Sequence, residues 1–550
     1  MIGAGAALGS LTRGPVSRAT WRPGRDGQAE RIPAPAPART TDEPPFSGAG
    51  QVVVCGGGIA GLAAAVGLAE RGVRVTLLER ESTLGGRVRS WPVDEADAGG
   101  RIQAGDPGNG VPRTMSRGFH AFFRQYYNLR GLLRRADPEL TRLRPIDDYP
   151  LLHRDGTQDS FAGVPRTPPL NLMAFVAKSP TFTARDLLRV DVERAMGLLD
   201  VDFPATFSAY DGISAADVLD RLRFPQRARS LALEVFARSF FADPADFSGG
   251  ELVAMFHAYF LGSAEGLLFD VPTGDYDTTL WAPLGRYLTG LGADVRTGVT
   301  ATGLDSDEHG LTVRVDGTEE LPADAVVLAV DRGPLQELVA AAPWLGGPAW
   351  REAVAALTMA PRFVVLRLWY DRPVAPGTPP FVGTAAFGML DNVSAVHLFE
   401  DEAAAWAARH GGCVMELHGY AIGDDVSDED ADEDLRRHFL RIHPELAGVE
   451  PVHTERLTMA DCPLAGTDPW AARPGVRTPD PRVVLAGDGI RCELPVALME
   501  RAATTGFQAA NMLLGARGLA GHDLWSVPTA GRHPRSVAAL LPAARWVSRS

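Results

Sequence analysis

Apolar residues in this chain fall into two rhythms. Uninterrupted runs at Val52-Val53-Val54-Cys55, Val73 to Leu78, Ala325 to Val330 and Val483 to Ala486 read as strands, and further strands are expected at Leu311 to Val315, Phe363 to Tyr370, Ser394 to Phe399 and Val414 to Tyr420. Helical spacing instead governs Ile59 to Arg71, Ile213 to Leu222, Arg227 to Ala242, Glu251 to Leu261 and about Val496 to Leu514. Ser248, three residues before Glu251, marks a helix start. Leu291 to Val299 reads as a helix end, a turn and a strand. The alternation of strand and helix predicts an α/β fold with a Rossmann-like domain. That domain is interleaved with a helical insertion and a mixed α+β domain.

The join between the first strand and helix is the most informative point. Gly56, Gly58 and Gly61 are spaced as the turn of a dinucleotide-binding βαβ unit, and the second strand ends in Glu79. Gly56 makes the tight turn, Gly58 lets a pyrophosphate approach the backbone, and Gly61 lets the helix pack close to the strand. The first helical residues, Ile59 and Ala60, offer unpaired N–H groups to phosphate oxygens. Glu79 can accept hydrogen bonds from ribose hydroxyls. Arg80 follows it, and Gly85-Gly86-Arg87 then permits a second close backbone approach with an arginine facing the phosphates or the ring system beyond. Near the other end, Ala486-Gly487-Asp488 leads from a strand to a helix carrying Met499 and Ala502. Asp488 would lie near a ribityl chain or pyrophosphate, and the helix N-terminus would face the edge of a flavin where negative charge collects. Val299 could lie against the adenine or serve as a plain core residue. The three elements together favour FAD over NAD.

The chain has 550 residues, 45% hydrophobic and 22% charged, with a net charge of −14. Its size predicts several domains, and its charge argues against a nucleic-acid partner. The acidic run Asp424 to Asp434 reads as a solvated loop and helix start. The four cysteines, Cys55, Cys413, Cys462 and Cys492, form no CxxC pair, so no metal site is expected and a reducing compartment is the default. No apolar stretch reaches the roughly 18 residues that a spanning helix needs. The expected division is a disordered leader (1–49), FAD-binding parts at 50–145, 286–345 and 471–516, a helical substrate or membrane-facing region (146–285), a substrate-domain sheet (346–470) and a flexible tail (517–550). The tail holds a short amphipathic piece at Val537 to Val547, interrupted by Pro542. The apolar segment Leu252 to Leu261 has a structural reading, a buried core helix, and a functional one, the wall of a lipid tunnel or a face dipped into a membrane surface.

These elements resemble the flavin amine oxidase and carotenoid desaturase superfamily. The resemblance rests on Val52 to Leu62, Glu79-Arg80, Leu84-Gly-Gly-Arg87, Ala486-Gly-Asp488 and Ala497-Leu-Met-Glu-Arg-Ala502, and runs over roughly residues 51–515. Arg117-Gly-Phe-His-Ala-Phe-Phe-Arg-Gln-Tyr-Tyr-Asn128 is similar to a segment of plant-type desaturases. With Met499 to Gly506, it looks most like the bacterial β-carotene desaturase/methyltransferases, the isorenieratene or carotenoid φ-ring synthases. Many desaturases carry Met-Glu-Gly-Ala where this chain has Met499-Glu500-Arg501-Ala502. Arg501 would crowd the flavin unless it points away.

The resemblance implies that FAD oxidises a hydrophobic polyene end group. Hydride loss, a 1,2-methyl shift from C1 to C2, proton loss and a second oxidation would turn a β-ionone ring into an arene. His120 is the first candidate for a base or a ring-orienting group, Glu493 could stabilise a developing cation, and Phe122, Phe123 and Tyr126 could shield it through their faces. The implied partners are a carotenoid, a membrane surface touched without a spanning helix, and a quinone, oxygen or protein as electron acceptor, in the cytoplasm. Other readings are a phytoene or ζ-carotene-type desaturase and an amine or porphyrinogen oxidase. Lys178 is the only lysine between the two cofactor elements, which ranks an amine oxidase lower. A non-enzymatic prenyl-lipid carrier of the GDP-dissociation-inhibitor type is the third.

Overall fold

The computed structural model describes residues 29–35, 50–93, 113–165, 168, 170–180, 197–198, 200–223, 238, 240–308 and 310–531. Its centre is a five-stranded parallel sheet in the order Asp294–Thr297, Arg74–Glu79, Gln51–Cys55, Ala325–Leu328, Val483–Leu485. Helix Ile59–Ala69 is buried along its whole length, as an all-apolar helix must be. Helix Leu498–Ala516 packs on it. A three-stranded antiparallel sheet, Ala301–Asp307, Gly310–Val315 and Glu319–Ala323, is inserted before the fourth central strand. The middle of it alternates buried and half-buried positions, the period of a strand with one covered face.

The second unit is a seven-stranded sheet in the order His453–Met459, Arg362–Tyr370, Cys413–Ile422, Asn392–Ala395, Phe381–Ala385, Leu151–His153, Gln158–Asp159. Phe381–Ala385 runs parallel to Leu151–His153, and all its other pairings are antiparallel. A separate core of Leu366, Leu368, Met415, Leu435 and Phe439 lies between this sheet and helix Asp428–Ile442. The acidic run starts that helix: Ser427 caps it by accepting from the Asp430 amide at 3.0 Å, and the acids of the first turn face the positive end of the helix dipole.

Four expectations change. The region 146–285 is less helical than its spacing suggests, because Leu151–His153, Gln158–Asp159 and Phe269–Pro272 are strands. The strand expected at Ser394 to Phe399 ends at Ala395, and a 3-10 turn, Val396–Leu398, follows. Leader and tail are not wholly structureless: Glu30–Ile32 pairs antiparallel with Leu524–Ser526. Helix Gly249–Phe256 continues through a π-helical turn, His257–Leu261, with every residue buried. Most of Arg227 to Ala242 and all of Val537 to Val547 lie outside the described residues. Among the described residues no helix is long and apolar enough to cross a membrane.

Arg501 is buried and turned toward the helical region. It donates to the Val496 carbonyl at 3.0 and 2.8 Å and pairs with Glu251, which Arg473 also holds at 2.6 Å. Burial alone would raise the Glu251 carboxyl, but the two guanidinium groups outweigh it and hold it at about 2, against an ordinary 4.5. A lowered carboxylate pKa contributes stability that is fully present above the unfolded value and is lost on acidification. Glu251→Ala, which takes the carboxylate from buried Arg501 and half-buried Arg473, is expected to lower the unfolding free energy by about 3–5 kcal/mol in urea titrations at pH 7. In the wild-type protein this share should fade as pH falls from about 4.5 toward about 2.

Candidate active site

At the carboxyl edge of the parallel sheet three backbone corners meet. Gly56 has φ +106°, and a Cβ there would run into the Ala329 carbonyl. A Cβ on Gly61 would run into the Gly56 carbonyl, so this glycine sets how closely helix and turn approach. Gly58 differs: its Cβ would meet only Gly86 Cα at 3.7 Å, an ordinary contact. The protein leaves that side of the turn open, as a cradle for a pyrophosphate requires. Gly85 and Gly86 also have positive φ, and Gly85 bridges to Gly58, which brings the second glycine element onto the first.

The Glu79 carboxylate accepts from the Gly57 amide at 2.7 Å and the Glu81 amide at 2.9 Å. Burial still raises its pKa despite those bonds. Each oxygen keeps acceptor capacity for a ribose hydroxyl. Arg80 is half-exposed, 3.4 Å from Glu81 and 3.9 Å from Asp331. Arg87 bridges two of the corners, bonding Asp488 and lying 3.1 Å from Asp331. Burial opposes its charge, but the Asp488 and Asp331 carboxylates hold the guanidinium firmly protonated. Thr505 Oγ1 lies 3.0 Å from both the amide and the carbonyl of Gly487, tying the third corner to the helix behind it.

These corners open into one cavity of about 660 Å³. Gly56, Gly58, Ile59, Ala60, Glu79, Arg80, Gly85, Gly86, Arg87, Val299, Gly487, Asp488, Met499 and Ala502 all line it. Gly61 does not, in keeping with its packing role. The same cavity continues between aromatic side chains. Phe119 stacks on Phe381 with ring centroids 4.4 Å apart, and Phe123 meets Tyr259 at 4.6 Å and Phe269 at 5.3 Å. Tyr126 also lines it, whereas Phe122 is wholly buried behind the wall. Leu252 to Leu261 is thus a core helix that also presents Met255 and Tyr259 to the cavity.

His120 lines the cavity with Nδ1 2.7 Å from the Gly118 carbonyl. Desolvation lowers its pKa to about 4, so it is neutral at physiological pH. Glu493 is a correction: it is exposed on the loop after Ala-Gly-Asp and does not line the cavity. The loop's buried neighbours Cys492 and Leu494 anchor it and leave the carboxylate in solvent.

Several cavity residues escaped the sequence reading. Asp331 and Arg332 follow the fourth central strand and carry no motif; their signal was a third strand-to-helix crossing at the same edge. Asn392, His418 and Tyr420 line the cavity from the seven-stranded sheet. The last two sit at alternate positions with Glu416 in an otherwise apolar strand, a pattern legible in the sequence.

Residues 59–514 match the family described as flavin containing amine oxidoreductase. The chain belongs to that family. This oxidoreductase is 52% identical to a carotenoid phi-ring synthase of Streptomyces griseus, over 93% of its own length and 96% of that protein. It is 25% identical to a carotenoid phi-ring synthase of Chlorobaculum tepidum, over 96% and 97% of the two chains. A solved putrescine oxidase double mutant has the same fold with a TM-score of 0.62 at 16% identity, covering 84% of this chain and 99% of that one. Cyclohexylamine oxidase from Brevibacterium oxydans gives 0.59 at 16% identity over 85% and 99%. The oxidoreductase is therefore an enzyme whose cofactor is FAD, and the open cradle at Gly58 with the Glu79 and Arg87 corners fits that group.

Gly58→Ala is expected to leave folding intact, because no protein atom stands within clash distance of the new methyl. Flavin absorbance of the purified protein should fall by about tenfold or more while the thermal unfolding of the protein stripped of flavin is unchanged. Gly56→Ala, at φ +106° and against a carbonyl, should lower stability as well.

Proposed function

We propose that the enzyme acts on a carotenoid and converts β-ionone end groups to aromatic φ-type rings, with migration of one C1 methyl group to C2. The observation that carries this reading is the continuity of the cavity: the corners that hold the dinucleotide open directly into an aromatic chamber. A long polyene is accommodated by such an apolar, aromatic wall. The 52% identity to a carotenoid phi-ring synthase supports the same conclusion.

Bound FAD supplies the two-electron acceptor for each oxidation. The chain's own residues supply shape, dryness and charge placement. Phe119 and Phe381, stacked as one wall, present ring faces that attract a ring carbocation more strongly in a dry chamber than in water. His120, kept neutral by burial, orients the ring beside Tyr276 without repelling that cation. Lys178 donates to the Gly163 carbonyl at 2.6 Å and does not line the cavity, which disfavours the amine-oxidase alternative. The enzyme is proposed to take its substrate from a membrane surface on the cytoplasmic side and to pass electrons to a quinone or another acceptor.

Expression in a host that accumulates β-carotene tests the reading. The expected pigment lacks four hydrogens per processed ring and carries a methyl resonance moved from the gem-dimethyl carbon to an aromatic one. A pigment desaturated only along the polyene, with both gem-methyl signals kept, would assign the enzyme to the phytoene-desaturase type instead.

A further inference from the structure

Strand Cys413–Ile422 carries Glu416, His418 and Tyr420 at every second position, so they share one face of the sheet. Arg367 lies opposite Glu416 on one neighbouring strand, and Asn392 lies opposite His418 on the other. The side chains form a directed chain. Arg367 donates from Nε to Glu416 Oε2 at 2.7 Å, and Glu416 Oε1 lies 2.8 Å from His418 Nε2. His418 Nδ1 lies 2.9 Å from Tyr420 Oη, which also accepts from Asn392 Nδ2 at 3.0 Å. Although burial would raise it, Arg367 and then His418 hold the Glu416 carboxyl at about 2, so it is an anion and can only accept. His418 Nε2 therefore carries the hydrogen, and Nδ1 presents its lone pair to the Tyr420 hydroxyl. The Phe119 amide, 3.3 Å from Nε2, is the longer contact and yields to the carboxylate.

His418 and Tyr420 both line the cavity, but Glu416 and His418 are almost wholly buried, whereas Tyr420 is partly open. One lone pair of Tyr420 Oη remains after the bonds to His418 and Asn392. His120 has no comparable support: its ring nitrogen meets a carbonyl, and a proton placed on it would sit in a buried site beside Arg117.

Resting on the ring-aromatising function proposed above, we propose that Tyr420 is a catalytic acid–base residue, with His418 and Glu416 as positioning residues that draw its proton away. In the step, a C–H bond of the ring carbocation breaks and its electron pair closes a ring C=C. The proton goes to Tyr420 Oη as the Tyr420 hydroxyl proton passes to His418 Nδ1. His418 ends as an imidazolium against the Glu416 carboxylate, and no electron is transferred. A carbocation C–H is a strong acid, so a phenol oxygen suffices. The positive charge finishes beside an anion instead of free in an apolar chamber.

Tyr420→Phe removes one oxygen and keeps the wall. With purified holoenzyme and β-carotene in detergent micelles, FAD content and KM should stay at wild-type values while kcat for aromatic rings falls about 100-fold or more. His418→Gln and Glu416→Gln should likewise lower kcat with KM steady, a split that loss of packing alone would not give. Aromatic rings formed by Tyr420→Phe within about threefold of the wild-type rate would overturn the relay while leaving the ring chemistry standing. A wild-type enzyme that forms no aromatic ring would overturn both. Should Tyr420→Phe lose FAD, Asn392→Ala removes only the amide that aims the hydroxyl. A lowered kcat with FAD retained supports the relay, and a wild-type kcat overturns it.

Discussion

Two helices without bulk at their crossing hold this enzyme together. Helix Ile59–Ala69 and helix Leu498–Ala516 approach until a Cβ on Gly506 would strike the Ala60 carbonyl, and one on Gly67 would stand 2.9 Å from Ala510 Cβ. Such an approach needs small residues, because interiors pack to crystal density and a methylene has nowhere to go. Its consequence is positional. Ala60 belongs to the first turn over the cofactor cradle, and Thr505, next to Gly506, grips both the amide and the carbonyl of Gly487. One crossing thus sets the distance between corners that lie more than four hundred residues apart in the chain.

The same helix reaches the substrate side. Glu500 accepts from the Asn128 and Leu129 amides, each at 2.9 Å, and so holds the N-terminus of helix Tyr127–Leu133. The aromatic residues Phe123 and Tyr126 precede that helix directly and line the cavity. The cofactor corner and the Phe123–Tyr126 part of the aromatic wall are therefore tied together through one helix. For the proposed reaction, whose intermediates are cations, that tie matters: the wall must already be placed when charge develops, since dipoles and ring faces that first have to reorganise stabilise it less.

The cofactor half was legible in the sequence because its chemistry is backbone chemistry. Tight turns and close approaches demand glycine at particular spacings, so Gly56, Gly58, Gly61, Gly85, Gly86 and Gly487 announce themselves. Asp331 did not, because an aspartate opening a helix is common and gains its meaning only from Arg87, which lies far from it in sequence. The substrate half was harder for the same reason. Leu151–His153 joins the seven-stranded sheet beside Phe381–Ala385, a pairing across more than two hundred residues that no local pattern records. Glu493 was attractive through its place after a cofactor motif, yet proximity in sequence did not become proximity in space. The strand at Glu30–Ile32 was hidden by a proline- and alanine-rich surrounding, and only its partner, Leu524–Ser526, gives it a ladder.

Arg501 shows how a departure from a familiar pattern acquires a purpose. Where many desaturases have glycine, this chain places a guanidinium, and burying it unpaired would cost several kcal/mol. Glu251 removes that cost, and Arg473 joins from a third segment. Glu251 starts the helix whose following turns bring Met255 and Tyr259 into the cavity, four and eight residues on. Side chains at that spacing lie near one helix face, so fixing the first also fixes the rotation of the others. The arginine expected to crowd the flavin instead pairs with Glu251 and does not line the cavity. The same ion pair ties the helix at Leu498–Ala516 to the first turn of the helix that presents Met255 and Tyr259 to the cavity.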